Sequence, residues 1–366
     1  MKKGLVIFGA IIIFVTSINI SFAQTADLTS VDEFFKVTSI LKEGKEISEE
    51  QWTAFENSNG YKVFRQVTIE IDILKSSIDI VFGNNKVAEK DSILSISQED
   101  IEKNRAMLFK KFVILNYIDI NNNYELINSF RKNYDFNTLI EKAKQRLSSF
   151  LDKTIDPATE FKPIYFVFMC ADGQVRENGI YIDLNLIYKK TEEQRVDFLA
   201  HEFFHNYRGK HVNYDYYKND LFYIIDAIQD EGIADLIDKS EGYEKHFTDM
   251  GEIPEMIESW ISLYNQAQKD LEKLQNLTFK FAKGEISKDD VGDEVLEIVK
   301  YNGHPIGFFM ANHIVSAGYK SEMLKTFYNP YEFYKLYNKA AEKQNLFQLN
   351  SEFLDYLKSI TDEYYR

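Results

Sequence analysis

The sequence predicts an α+β protein that is predominantly α, on three observations. Apolar residues recur at three- and four-residue spacing over most of the chain. One patch, residues 163–186, changes to strand-like patterning, and the helical stretch after it carries two histidines four residues apart. A small sheet leading into a histidine-bearing helix, flanked by helical N- and C-terminal regions, is the expected architecture.

Residues 1–23 hold two lysines, an apolar run over 5–15 and a short polar stretch ending in Ser21-Phe22-Ala23, the layout of a secretory signal peptide cut near Ala23. Thr16, Ser17 and Asn19 break the run before it reaches the ~20 apolar residues of a membrane span. The mature protein is expected to be exported, periplasmic or extracellular, and not embedded in a membrane. Residues 24–157 form a helical N-terminal region, with apolar periodicity over 31–41, 67–82, 97–115 and 136–151. Asp119, Asn121 and Asn123 match the first ligands of a calcium-binding loop. The sixth position is Tyr124 where the turn needs Gly, and the twelfth is Phe130 where a bidentate Glu belongs, so the segment reads as an Asn-rich turn between helices.

Residues 158–250 hold the strands and the chemistry. The run over 164–170 reads as a buried strand, and Asp172-Gly173 and Asn178-Gly179 as turns. A strand over 180–186 alternates, with Ile180, Ile182, Leu184 and Leu186 on a buried face and Tyr181, Asp183 and Asn185 on a wet one. Thr191 and Gln194 form a capping box that starts the next helix. Residues 251–366 return to helix over 254–281, 291–299 and 306–317, with Gly318 placed to end the last of these.

Composition narrows the function. With 45% apolar and 28% charged residues, and only 16 Gly and 5 Pro, the chain can bury a core and is neither disordered nor fibrous. A net charge of −15 argues against nucleic acid as a partner. The single cysteine, Cys170, rules out an internal disulfide and a multi-cysteine metal site.

The strongest signal is His201-Glu202-Phe203-Phe204-His205. On a helix, residues four apart share a face, so both imidazoles reach one Zn2+ ion, and Glu202 flanks the place where an activated water would sit. Read instead as core residues, these three would put some of the costliest side chains to bury on one face with no reason for it. A catalytic zinc takes a third protein ligand. His211 stands where HExxHxxGxxH places its last histidine, but position 208 is Arg and the glycine is Gly209. Glu231, in Asp230-Glu231-Gly232-Ile233-Ala234-Asp235, lies in an apolar helical run. Asp235 follows at i+4, where a carboxylate can accept the second N–H of a ligating histidine. Gly232 and Ala234 are expected to let this run pack closely against the HEFFH helix.

HEFFH followed by DEGIAD resembles the gluzincin metallopeptidases. The resemblance implies a zincin-like catalytic core that hydrolyses peptide bonds in a peptide or protein substrate with one zinc per chain. His201, His205 and Glu231 would be ligands, Glu202 the general base and Asp235 the orienting acid. It also implies a His or Tyr from later in the chain that stabilises the oxyanion, for which His304 and, next, Tyr301 are the candidates. An edge strand, taken to be 180–186, would pair with substrate. The signal peptide, Gln51-Trp52, Asn59-Gly60-Tyr61 and the late Gly307-Phe308-Phe309-Met310-Ala311 helix are similar to a bacterial family described as zinc-dependent peptidases. Two other readings stay open: a degenerate zincin fold that only binds, and, since 15% of residues are aromatic, a secreted binding protein with exposed rings.

Overall fold

The computed structural model describes residues 26–64, 68–84, 86–97, 104–153, 161–212, 220–250 and 254–364. The expected signal peptide, and the expected boundary between residues 157 and 158, lie outside them. The chain is α+β and predominantly α. Helices α1 (Thr29–Lys42), α2 (Glu49–Glu56), α3 (Asn59–Phe64), α4 (Thr68–Phe82), α5 (Val87–Leu94), α6 (Arg105–Asn122), α7 (Tyr124–Asn133) and α8 (Phe136–Phe150) follow a short strand β1 (Ala26–Asp27). Strands β2 (Ile164–Val167), β3 (Gly173–Arg176) and β4 (Gly179–Asp183) come next, then α9 (Leu184–Lys189), α10 (Glu192–Gly209) and α11 (Asp220–Asp238). Beyond these run α12 (Tyr243–Asp249), α13 (Pro254–Ala282), α14 (Lys288–Ile298), a 3-10 turn (Tyr301–Gly303), α15 (His304–Ser316), α16 (Lys320–Lys325), α17 (Pro330–Gln344) and α18 (Ser351–Tyr364).

The sheet has the order β1-β2-β4-β3. β2 is parallel to both β1 and β4, and β3 is antiparallel to β4 with Gly173 opposite Ile182. The strand expected over 180–186 stops at Asp183, because that side chain caps a new helix: its Oδ1 accepts the Leu186 N–H at 3.0 Å. Its other oxygen accepts from the Met169 N–H at 2.7 Å and from Asn116 at 2.9 Å. Nor does β4 have a wet face. Tyr181, Asp183 and Asn185 are as buried as their apolar neighbours, because β4 lies inside the sheet and α3 covers the Tyr181 side, Phe64 meeting that ring edge-on at 5.8 Å. The strand beside the site that forms a sheet edge is therefore β3, not β4.

The turn at Asn123 joins α6 to α7, its amide donating to the Asp119 carbonyl at 3.1 Å. Among the described residues the main core is an apolar cluster running from Val31 to Ile360, with a small second cluster at Ile80, Ile93 and Ile114, and most of the aromatic residues lie in or against the first. Gly307, Met310, Ala311 and Ile314 belong to this core.

Candidate metal centre

α10 begins as its capping box dictates: Thr191 Oγ1 accepts the Gln194 N–H at 3.3 Å and Gln194 Oε1 accepts the Thr191 N–H at 2.9 Å. From that fixed start nearly three turns of helix carry His201 and Glu202 into the interior, where they are 4% and 5% exposed. α11 packs across α10 and brings Glu231, also buried, to the two imidazoles.

The facing atoms form a triangle. His201 Nε2 and His205 Nε2 are 3.0 Å apart, and Glu231 Oε2 lies 3.2 Å from the second and 3.9 Å from the first. A tetrahedral zinc with ligands at about 2.0–2.1 Å has ligand–ligand edges of about 3.3 Å, and these three separations straddle that length. The outward nitrogens face carboxylates: His201 Nδ1 is 3.0 Å from Asp238 Oδ1, and His205 Nδ1 is 2.9 Å from Asp230 Oδ1. Protons drawn to the two Nδ1 atoms turn both Nε2 atoms toward one point, where a divalent cation, or without it a proton on His205, lies between them. Glu231 Oε2 adds a buried acceptor without a hydrogen-bond partner. The donor set fits a divalent metal of zinc's preferences.

The electrostatics agree. Burial lowers His201, whereas for His205 burial is outweighed by Asp230 and Glu231, which raise it well above its ordinary value. Glu231, despite burial, is held far below the usual carboxylate range by His304 and His205. Burial pushes Glu202 up to about 8. The backbone of β3 presses on this last group, since a Cβ at Gly173 would stand 2.5 Å from the Glu202 carboxyl.

Asp235, expected on the second nitrogen of a ligating histidine, is 3.8 Å from His201 Nδ1. It instead accepts from His304 Nδ1 at 2.9 Å, from Lys239 at 2.7 Å and from the Tyr243 hydroxyl at 2.9 Å. His304 starts α15 with Pro305 behind it, and its Nε2 is 3.2 Å from Glu231 Oε2. Burial opposes its charged form, but Asp235 and Glu231 raise it to about 8. Tyr301 stands apart: its ring stacks on Trp260 at 4.3 Å and is half exposed. His211 is not brought to the histidine pair. α10 runs on through Arg208, whose guanidinium is buried against Asp226, and the His211 ring packs on Tyr207 and Phe327.

Gly232 makes its close approach to α15, not to the HEFFH helix. A Cβ there would lie 2.3 Å from the Gly307 backbone, so two glycines let α11 and α15 cross in direct backbone contact.

Several site residues escape sequence reasoning. Asp238 follows Glu231 at i+7, on the same face, and Asp230 is its neighbour; a full helical projection would have raised both. Lys239 bonds both Asp235 and Asp238, a pattern visible as i, i+4 from Asp235. Asn302 donates to Glu231 Oε1 at 2.7 Å from a left-handed backbone, φ +52, for which Asn-Gly is the available signal.

A family model described as "Putative zinc dependent peptidase (DUF5700)" matches residues 52–346, which contain every residue of this site. No curated protein and no solved structure matches the chain.

Proposed function

The chain belongs to the DUF5700 family of putative zinc dependent peptidases, and from that premise we propose that it is an exported metallopeptidase of the gluzincin type. His201, His205 and Glu231 hold the ion, and the observation that carries the reading is their triangle with Glu202 beside it. Zinc bound there supplies Lewis acidity toward a peptide carbonyl and an acidified water near neutral pH.

The protein's own groups do the rest. Glu202, on the flank of His201, accepts a proton from the attacking water and returns it to the leaving amine. Burial, which raises the Glu202 carboxyl in the metal-free protein, favours the half of the cycle in which it returns the proton. His304 donates from Nε2 to the oxygen that gains negative charge, with Asp235 fixing the ring through Nδ1. Asp238 and Asp230 hold the ligand imidazoles in the tautomer that presents Nε2. Asn302 occupies Glu231 Oε1 and leaves Oε2 for the ion. The substrate lies extended along the outer edge of β3, adding a strand whose scissile bond passes Glu202. Core burial of most aromatics, with an intact Glu202, favours hydrolysis over a binding-only role.

Purified protein should carry one equivalent of zinc and cleave an unstructured protein substrate, while Glu202→Gln keeps the zinc and loses cleavage. Metal-free protein with full activity would overturn the assignment. Export follows from the leader: protein recovered outside the cytoplasm should begin near Gln24. Among the described residues no helix is long and apolar enough to cross a membrane.

A further inference from the structure

Among the described residues, the large hydrophobic side chains left exposed are Val87, Phe112, Leu115, Leu126, Tyr301 and Tyr328. Of these, Tyr301 belongs to the segment that also supplies Asn302 and His304. Its exposure is 49%, yet the ring is held in place: one face stacks on Trp260 with 4.3 Å between centroids and 13° between planes. Trp260 in turn stands edge-on to His304 at 5.9 Å and packs on Tyr243 at 5.0 Å, whose hydroxyl bonds Asp235. A continuous aromatic wall thus leads from the histidine outward to an uncovered tyrosine face.

The backbone beneath it is costly. Tyr301, Asn302 and Gly303 follow one another at φ +49, +52 and +94, and each non-glycine residue in that region costs roughly 1–2 kcal/mol. Two contacts hold the strained turn: the Asn302 amide on Glu231, and Gly303 against Ile228, where a Cβ would be 2.8 Å away. Asn302 accounts for its own strain through Glu231. Nothing in the ligand set requires the left-handed Tyr301, whose result is a rigid ring presented to solvent beside the site. Lys300, the neighbour of Tyr301 in the chain, is ion-paired with Glu297 at 3.0 Å.

We propose that Tyr301 and Trp260 form a specificity subsite that receives an aromatic or bulky apolar side chain of the peptide substrate, on the His304 side of the scissile bond. This rests on the peptidase reading above. A rigid aromatic platform contributes stacking and burial at small entropic cost, because its ring is already ordered.

The test uses zinc-loaded protein and fluorogenic peptides that differ at one position near the scissile bond, carrying Phe, Leu, Ala or Lys. At one position the wild type should prefer Phe over Ala by roughly tenfold or more in kcat/KM. In Tyr301→Ala that ratio should fall to within about twofold, through a rise in KM for the Phe peptide, while Tyr301→Phe retains it. Tyr301→Asn, which suits the left-handed backbone, should behave like Tyr301→Ala and guards against misfolding of the alanine variant. A wild type that favours Lys or shows no side-chain preference, or a Tyr301→Ala that slows Phe and Ala peptides equally, overturns the subsite and leaves the peptidase reading standing. Zinc-loaded wild type that cleaves no peptide overturns both.

Discussion

Replacing Gly307 by alanine should separate metal binding from catalysis. The added Cβ would lie 2.0 Å from the Ile228 carbonyl oxygen and 2.8 Å from the Gly232 nitrogen. Both are backbone atoms inside a helix and cannot swing aside. Restoring ordinary contact at about 3.4 Å requires α11 and α15 to part by about 1.4 Å, because a close-packed interior has no room to absorb the methyl locally. Two hydrogen bonds cross this interface: His304 Nδ1 to Asp235 at 2.9 Å and Asn302 Nδ2 to Glu231 at 2.7 Å. Both would stretch to about 4 Å, beyond hydrogen-bonding range. Overpacking costs about 1–3 kcal/mol, and the loosened carboxylates add about 1–2 kcal/mol, so a fall in Tm of about 3–7 °C is expected for a chain of this length. Zinc content should hold near one equivalent, since the ligands come from α10 and α11 alone. Peptidase activity should drop by about 100-fold as His304 leaves its place. The assays are differential scanning fluorimetry, metal analysis and peptide hydrolysis on one preparation. A Gly307→Ala protein with wild-type Tm and activity would refute the backbone contact, and loss of zinc together with activity would refute the division of labour.

Other perturbations reach the same centre from different sides. Asp238→Asn removes the carboxylate from His201 Nδ1 and should weaken zinc binding roughly 10–100-fold in competition with a chromophoric chelator; unchanged affinity would leave Asp238 without that role. In chelated protein, burial holds Glu202 up at about 8, against about 4.3 in an unfolded chain. Because the folded form binds this proton more tightly, the stability it contributes is complete below about pH 4 and lost as pH rises through about 8. Between about pH 5.5 and 7.5, urea unfolding should show wild type losing stability relative to Glu202→Gln by about 1.4 kcal/mol per pH unit. Parallel profiles would mean that Glu202 is ionised throughout.

The histidine pair was legible because helical spacing alone puts His201 and His205 on one face, and the capping box at Thr191 marks where that helix starts. Glu231 was legible as part of an i, i+4 acidic pair on an apolar run. The choice between Asp235 and Asp238 as partner of His201 was not, since both share the Glu231 face and only the offset between α10 and α11 decides which arrives. Likewise Gly232 announces a close approach without naming its partner, which turns out to be Gly307, about 75 residues further on. At Asp183 two local signals compete: alternation would continue the strand, but a side chain able to accept the Leu186 N–H ends it. The burial of Tyr181 and Asn185 depends on helices from elsewhere in the chain, information that a period-two pattern does not contain.

The site's parts are also unequally spaced along the chain. His201, Glu202, His205 and Glu231 sit on two consecutive helices, α10 and α11, whereas Asn302 and His304 reach them only after α12, α13 and α14 have intervened. Closing the short loop between α10 and α11 costs less chain entropy than closing the long one to α15. During folding, the cation pocket is therefore expected to assemble early, from near neighbours. The groups that complete the reaction centre arrive late, when α15 seats Gly307 against Gly232. A newly made chain would then pass through an interval in which it can take up a metal ion but has not completed its reaction centre, so that its own unfolded segments are spared.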